Sequence, residues 1–258
     1  MERKKIGEIR DLSVNYHSLE GETLALKNIN FDIYENEIIG IVGPSGCGKS
    51  TLLSLISGLI KPTTGHVLIN NRLVDKPLKN VGYMFQNDQL FHWRNILRNV
   101  TIGLEIQEKL NEDTKAQAKE MLESYGLGDF IESFPSQLSG GMRQRVALIR
   151  TLILNPDILL LDEPFSALDY QTRLTIADEI GVILKKEQKT ALMVTHDIAE
   201  AISMCDRIII LTHRPGTIKE IVDVSLSCEG EKTPLKTRES QEFRHYFNKI
   251  WKELDVHV

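Results

Sequence analysis

The sequence predicts an α/β protein: a doubly wound parallel-sheet core with an N-terminal antiparallel β subdomain and an α-helical subdomain inserted in its middle. Three observations carry this prediction. Residues 6–35 alternate apolar and polar side chains, short apolar runs recur at 38–42, 158–161 and 191–195, and stretches of helical periodicity separate those runs.

The alternation (Ile9, Leu12, Val14, Tyr16, then Ala25, Ile29, Phe31, Ile33) is that of strands with one solvated face, hence an antiparallel layer. Residues 38–42 are apolar almost throughout, as in a strand covered on both faces, and they run into a glycine-rich turn. Leu52, Leu53, Leu55, Ile56 and Leu59 follow at helical spacing. Residues 96–135 differ in kind, with a helix over about 112–125, Gly126 at its end and Pro135 breaking the next segment. From Met142 to Leu154 apolar residues recur helically until Asn155 and Pro156 stop them, and 158–161 and 191–195 are buried parallel strands. The expected division is a main domain over 1–220, with its helical subdomain at roughly 88–153, and a C-terminal connector and amphipathic helix over 221–258.

A chain of 258 residues, 41% hydrophobic and 26% charged, can bury one large core and a smaller satellite lobe. The basic start runs into no apolar stretch of signal-peptide length, and the longest apolar runs are strand-sized, so no span of a membrane is expected. Cys47, Cys205 and Cys228 have neither CxxC nor histidine spacing, which excludes a disulfide framework or zinc site and suits a reducing cytosol. A formal charge of -5 without a polybasic stripe argues against nucleic acid and anionic lipid as main partners.

The strongest chemical signal is Gly43, Pro44, Ser45, Gly46, Cys47, Gly48, Lys49 and Ser50, a GxxxxGK[ST] phosphate loop between a strand and a helix that continues with Thr51. Its glycines let successive N–H groups turn inward on phosphates, and the helix adds its positive end. Lys49 is then placed for the β- and γ-phosphates of ATP, and the Ser50 hydroxyl for Mg²⁺. A second signal is the apolar strand that ends in Asp162 and Glu163. Asp162 suits Mg²⁺, directly or through water, and Glu163 suits orienting a water against the γ-phosphate. Taken alone, such a pair is an ordinary solvated turn; the upstream loop tips the balance. In a third signal, Ser139, Gly140 and Gly141 open a long helix and present a hydroxyl, free N–H groups and a positive dipole end to an anion. By itself that pattern is a plain serine N-cap.

Together the three motifs, in this order, resemble those of ABC-type ATPases, and the resemblance covers roughly residues 9–215. It implies a P-loop NTPase (RecA-like) fold and a head-to-tail homodimer, in which residues 139–141 of one copy cap the γ-phosphate held by the other. It also assigns roles one residue at a time. Tyr16 is similar to the aromatic that stacks on adenine, though a lone strand tyrosine often only packs its sheet. Gln86 is similar to the glutamine that touches Mg²⁺ and the attacking water, Asp169 to the loop residue that helps place the partner's catalytic acid, and His196 to the switch histidine on the γ-phosphate. Met142 departs from the glutamine many members carry at the fifth signature position, with the Ser-Gly-Gly core intact.

Residues 93–100, 142–145, 165–173 and 213–218 further resemble the nitrate, sulfonate and taurine importer branch, whose relatives also move thiamine-precursor pyrimidines. That implies transmembrane permease subunits, an extracytoplasmic solute-binding protein reached through them, and a peripheral place on the cytoplasmic face of the cell membrane. Phe91 and Trp93 suit a groove for a membrane-subunit helix, or else pack under the helical lobe. An exporter or lipoprotein-release motor is the alternative, opposed only by this branch resemblance. Non-transport members carry a long coiled coil or DNA-binding arm, for which the stretch between Lys49 and Ser139 leaves no room, or two such domains in one chain. Near the C-terminus, Phe243, Tyr246, Phe247, Ile250, Trp251 and Leu254 form one apolar helical stripe that needs covering, most simply by its own domain.

Overall fold

The computed structural model describes residues 3–18, 21–166, 168–227 and 233–254. Cys228, most of the polar connector before Thr233, and Ala167 in the loop before Asp169 lie outside the described residues.

The chain opens with two long antiparallel strands, β1 (Lys5–Ser18) and β2 (Gly21–Tyr34), in a register that sets Ile9 opposite Phe31 and Leu12 opposite Ile29. Next come β3 (Ile38–Val42), α1 (Lys49–Ile56), β4 (Thr64–Ile69), β5 (Arg72–Leu73) and β6 (Val81–Met84). The helical lobe contains α2 (Ile96–Val100), α3 (Ile102–Ile106), α4 (Glu112–Ser124) and α5 (Gly140–Leu152). The chain then alternates through β7 (Ile158–Asp162), α6 (Tyr170–Lys186), β8 (Thr190–Val194), α7 (Ile198–Met204), β9 (Arg207–Leu211) and β10 (Ile218–Asp223), closing with α8 (Pro234–Thr237) and α9 (Gln241–Glu253).

Among the described residues two sheets form, one ordered β2-β1-β4-β5 and one ordered β10-β9-β3-β8-β7-β6. In the second, β9, β3, β8, β7 and β6 are parallel and β10 runs antiparallel at the edge. Its central strands are apolar on both faces because each face has its own core. Ile38, Val42, Leu159, Leu161, Ala191 and Met193 face the helices α5 to α7, while Ile39, Ile41, Ile158, Leu160, Leu192 and Val194 face α1 and the antiparallel sheet. A third cluster fills the helical lobe, and α5 joins it to the sheet: Val146 and Ile149 face the lobe, Ala147 and Leu148 the main core.

As expected, Gly126 takes φ +71° just past the end of α4. A reciprocal capping box of Asn111 and Thr114, which was not foreseen, starts that helix. The helix after the phosphate loop is shorter than its periodicity suggested: it stops at Ile56, Gly58 turns at φ +76°, and Leu59 is left 51% exposed. The stripe of α9 packs on the main core, with Ile250 fully buried and Phe243, Tyr246, Phe247 and Leu254 beside it. Trp251 stays half exposed, its ring 5.9 Å from Phe247. Trp93 is 73% exposed, with the half-buried Phe91 ring 5.0 Å away. Among the described residues, no helix is long and apolar enough to cross a membrane.

Candidate functional site

The chain leaves β3 at Val42 and wraps through residues 43–48 into α1. The wrap needs glycine: Gly46 and Gly48 take φ +73° and +107°, and a Cβ at Gly48 would lie 2.7 Å from Leu26 Cδ2. No side chain caps α1, so first-turn N–H groups remain for a ligand. Lys49 is buried, and its Nζ donates to the carbonyls of Gly43 at 2.9 Å and Pro44 at 3.0 Å. Cys47 points the other way, into the core beneath the antiparallel sheet, and burial pushes its thiol above the ordinary value.

Asp162 ends β7 beside α1. Its Oδ1 accepts from Ser50 Oγ at 2.9 Å and its Oδ2 from the Tyr83 hydroxyl at 3.2 Å. Burial raises the Asp162 carboxyl above its usual range and the two hydrogen bonds oppose that rise. Tyr83, pushed up by burial and then by the Asp162 charge, stays a neutral donor. One residue on, Glu163 leaves the strand at φ +46°, a left-handed conformation that costs a non-glycine residue free energy and is held because its N–H donates to Val194 O at 2.9 Å. Its Oε2 accepts from Gln86 Nε2 at 3.0 Å and lies 3.4 Å from His196 Nδ1. Gln86 follows β6, and its amide also reaches Ser166 Oγ at 3.3 Å.

Lys49, Ser50, Gln86 and Glu163 line one open cavity of about 480 Å³, with Asp162 and His196 bonded or close to its lining residues. Tyr16 stands at its far edge, half exposed, with its hydroxyl 3.2 Å from Thr51 Oγ1, and Ser45, Gly46, Gly48, Lys49, Ser50, Gln86 and Glu163 complete the walls. The structure thus brings together Tyr16, the phosphate loop, Gln86, Asp162, Glu163 and His196. It does not bring Ser139, Gly140, Gly141 or Asp169 to that cavity. Ser139 caps α5 through Met142 N at 3.3 Å, and Asp169 caps α6 through Thr172 N at 3.1 Å. The hydrogen bonding at Thr172 holds the Asp169 carboxyl below its usual value.

Sequence reasoning missed Thr23 and Ala25 on the cavity wall, and two members that bear more on the chemistry. Tyr83 was within reach, because it lies in the strand that leads to Gln86 and is bonded to the acid on the neighbouring strand. Arg214 lines the cavity from the turn between β9 and β10, which Gly216 pins to β2 through N–H to Ala25 O and its own carbonyl to Lys27 N, each 2.9 Å. No local pattern announces that long-range pairing.

A strand-loop-helix phosphate cradle, a hard-oxygen pair at Ser50 and Asp162, and a carboxylate held by an amide with an imidazole 3.4 Å away define a phosphate-loop nucleotide hydrolase. Comparison with known proteins narrows the class. The family described as ABC transporter matches residues 26–166. The chain is 48% identical over 240 residues to the ABC transporter ATP-binding protein YtlC of Bacillus subtilis, covering 93% of this chain and 92% of that one. It is 38% identical to the aliphatic sulfonates import ATP-binding protein SsuB of Bacillus thuringiensis subsp. konkukian, covering 92% and 95% of the two chains. It is 40% identical to the nitrate import ATP-binding protein NrtD of Synechocystis sp., covering 94% and 92%. A solved dimeric ATP-binding cassette, in a post-hydrolysis state bound to ADP and Pi, superposes with a TM-score of 0.72 at 32% identity, covering 85% of this chain and 99% of that chain. The chain belongs to the ABC transporter ATP-binding proteins and is an ATPase.

Proposed function

We propose that this ATPase energises an importer for a small solute of the nitrate, sulfonate and taurine or thiamine-precursor kind, working as a head-to-tail homodimer on permease subunits at the cytoplasmic face of the cell membrane. An extracytoplasmic solute-binding protein would reach it only through the permease. The import-named relatives and the exposed Trp93 beside Phe91 on the helical lobe support this reading. Residues 1–220 form the motor domain in this reading, and residues 221–258 an appended segment whose helix braces it.

In the same reading Tyr16 stacks on adenine and residues 43–51 hold the triphosphate through backbone N–H groups, with Lys49 exchanging its loop carbonyls for the β- and γ-phosphates. The oxygen donors of Ser50, Asp162 and Gln86 fit Mg²⁺, which when bound with the phosphates supplies charge neutralisation there. Glu163, oriented by Gln86 and His196, positions and polarises the attacking water. Ser139, Gly140 and Gly141, which stand apart from the cavity of their own chain, cap the γ-phosphate on the partner copy, and Asp169 helps place the partner's Glu163. Binding closes the pair, closure pulls on the permease, and hydrolysis reopens it.

The observation that carries this proposal is the Glu163 carboxylate, held at 3.0 Å by Gln86 and 3.4 Å from His196 on the rim of the phosphate cradle. Glu163→Gln is expected to keep ATP binding by calorimetry while turnover falls about 10²–10³-fold. Near-normal turnover in that variant rejects the assignment.

A further inference from the structure

Behind the cavity rim, a group of charges joins the start of α6 to the start of α7. Arg173, in the first turn of α6, donates from Nη2 to the Leu168 carbonyl at 3.1 Å. Its Nη1 stands 3.9 Å from Asp197 Oδ2 and its Nε 3.8 Å from Glu200 Oε1. Glu200 is buried, and its Oε2 accepts from Thr195 Oγ1 at 2.7 Å. The same Thr195 oxygen accepts from Asp197 N at 3.0 Å, so the residues on both sides of His196 are tied to one carboxylate. His196 Nδ1 in turn lies 3.4 Å from Glu163 Oε2. A continuous path therefore runs from Leu168, next to Asp169, to Glu163.

Packing alone does not require this arrangement. Arg173 and Asp197 keep part of their surface in solvent, but Glu200 is buried, and a buried carboxylate is costly where an apolar side chain of like volume would hold α6 against α7 at least as well. The ion-pair distances are also about an ångström longer than charge-assisted hydrogen bonds, and Arg173 Nε is buried with no hydrogen-bond partner among the described residues. An unmet buried donor costs free energy. A small approach of the α7 start toward α6 would satisfy it.

We propose that Arg173 is a positioning residue that couples the chain at Leu168 and Asp169 to the His196 turn through Asp197 and Glu200, so that engaging one sets the other. The inference rests on the site roles proposed above and adds a link between them. When Asp169 meets the partner copy, the shift of the α6 start is passed to Asp197 and Glu200, and His196 is set against Glu163. His196 is one contact on the γ-phosphate among the many that the loop and Lys49 supply, whereas its alignment with Glu163 bears directly on hydrolysis, so the rate responds far more than the affinity.

The test uses the full chain with Arg173→Met, Arg173→Lys, Glu200→Gln and the Arg173→Met/Glu200→Gln double variant, alongside Glu163→Gln. Steady-state ATPase activity and ATP binding by calorimetry are measured for each. Arg173→Met and Glu200→Gln are each expected to lower kcat about tenfold or more while the ATP dissociation constant stays within about twofold. The double variant should be no slower than the slower single, as for two members of one link, and Arg173→Lys should recover part of the rate. Should Arg173→Met fail to fold, the near-isosteric Glu200→Gln decides alone. Unchanged kcat in the single variants, multiplicative losses in the double, or affinity falling in step with rate overturns the proposal. Normal turnover by Glu163→Gln would instead sink the site roles, whereas a dead Glu163→Gln beside wild-type rates at Arg173 and Glu200 sinks only the link.

Discussion

The phosphate loop offers a matched pair of substitutions whose costs can be worked out in advance. Gly46 and Gly48 both have positive φ, but a Cβ at Gly46 meets nothing within 4 Å, while one at Gly48 lies 2.7 Å from Leu26 Cδ2 and 3.1 Å from Leu26 Cγ. Gly46→Ala therefore carries only the left-handed backbone cost, about 1–2 kcal/mol. Gly48→Ala carries that cost and an overpacking cost of about 1–3 kcal/mol, since Leu26 is fully buried and cannot swing aside into solvent. The expected total is about 2–5 kcal/mol, or several degrees to some 20 °C in Tm at roughly 2–4 °C per kcal/mol for a chain of this size. Urea and thermal unfolding measure both variants. Adding Leu26→Val, which removes the clashing methyl, should cost the Gly48→Ala background less than it costs the wild type. Equal destabilisation by the two glycine variants, or a milder effect at Gly48, would refute the loop geometry on which the site is built.

Two further predictions follow from burial. The Cys47 thiol is 1% exposed and burial pushes it above its ordinary value, so alkylation of the folded chain at neutral pH should be slow and should accelerate in denaturant. Rapid stoichiometric labelling of native protein would contradict that placement. Burial also raises the Asp162 carboxyl, so its favourable contribution to folding is complete below the unfolded value and is lost as pH rises through the folded one. Asp162→Asn removes that loss, so the Tm difference, variant minus wild type, should grow from acid toward pH 8. A difference that shrinks over that range would show that the carboxylate is not paying for its burial.

Much of this architecture was legible in the sequence because its signals are local. The apolar run at 38–42, the GxxxxGK[ST] spacing and the Gly126 helix stop each act within a few residues, and each falls where the structure has its element. A strand leading into Gln86 was expected and is β6, whereas β4, β5 and β10 were not foreseen. Those three are short, between two and six residues, and β5 has only exposed positions, so no apolar period marks it. Arg214 was legible only as part of a family-like stretch, because its place at the cavity depends on the pairing of Gly216 with Ala25 across most of the chain. The same limit hid the Arg173 path, whose members lie on two helices and the turns before them. Conversely, the residues 139–141 and Asp169 were picked out by sequence and lie away from the cavity of their own chain, which is what a site completed by a second copy requires.

Whether a second copy completes the site is read from the assembly state of the Glu163→Gln chain. Sedimentation velocity over a protein concentration series, with and without Mg-ATP, should find monomer alone and a dimer when nucleotide is added. A chain that stays strictly monomeric at high concentration with saturating Mg-ATP, and also when mixed with its permease, would contradict such completion.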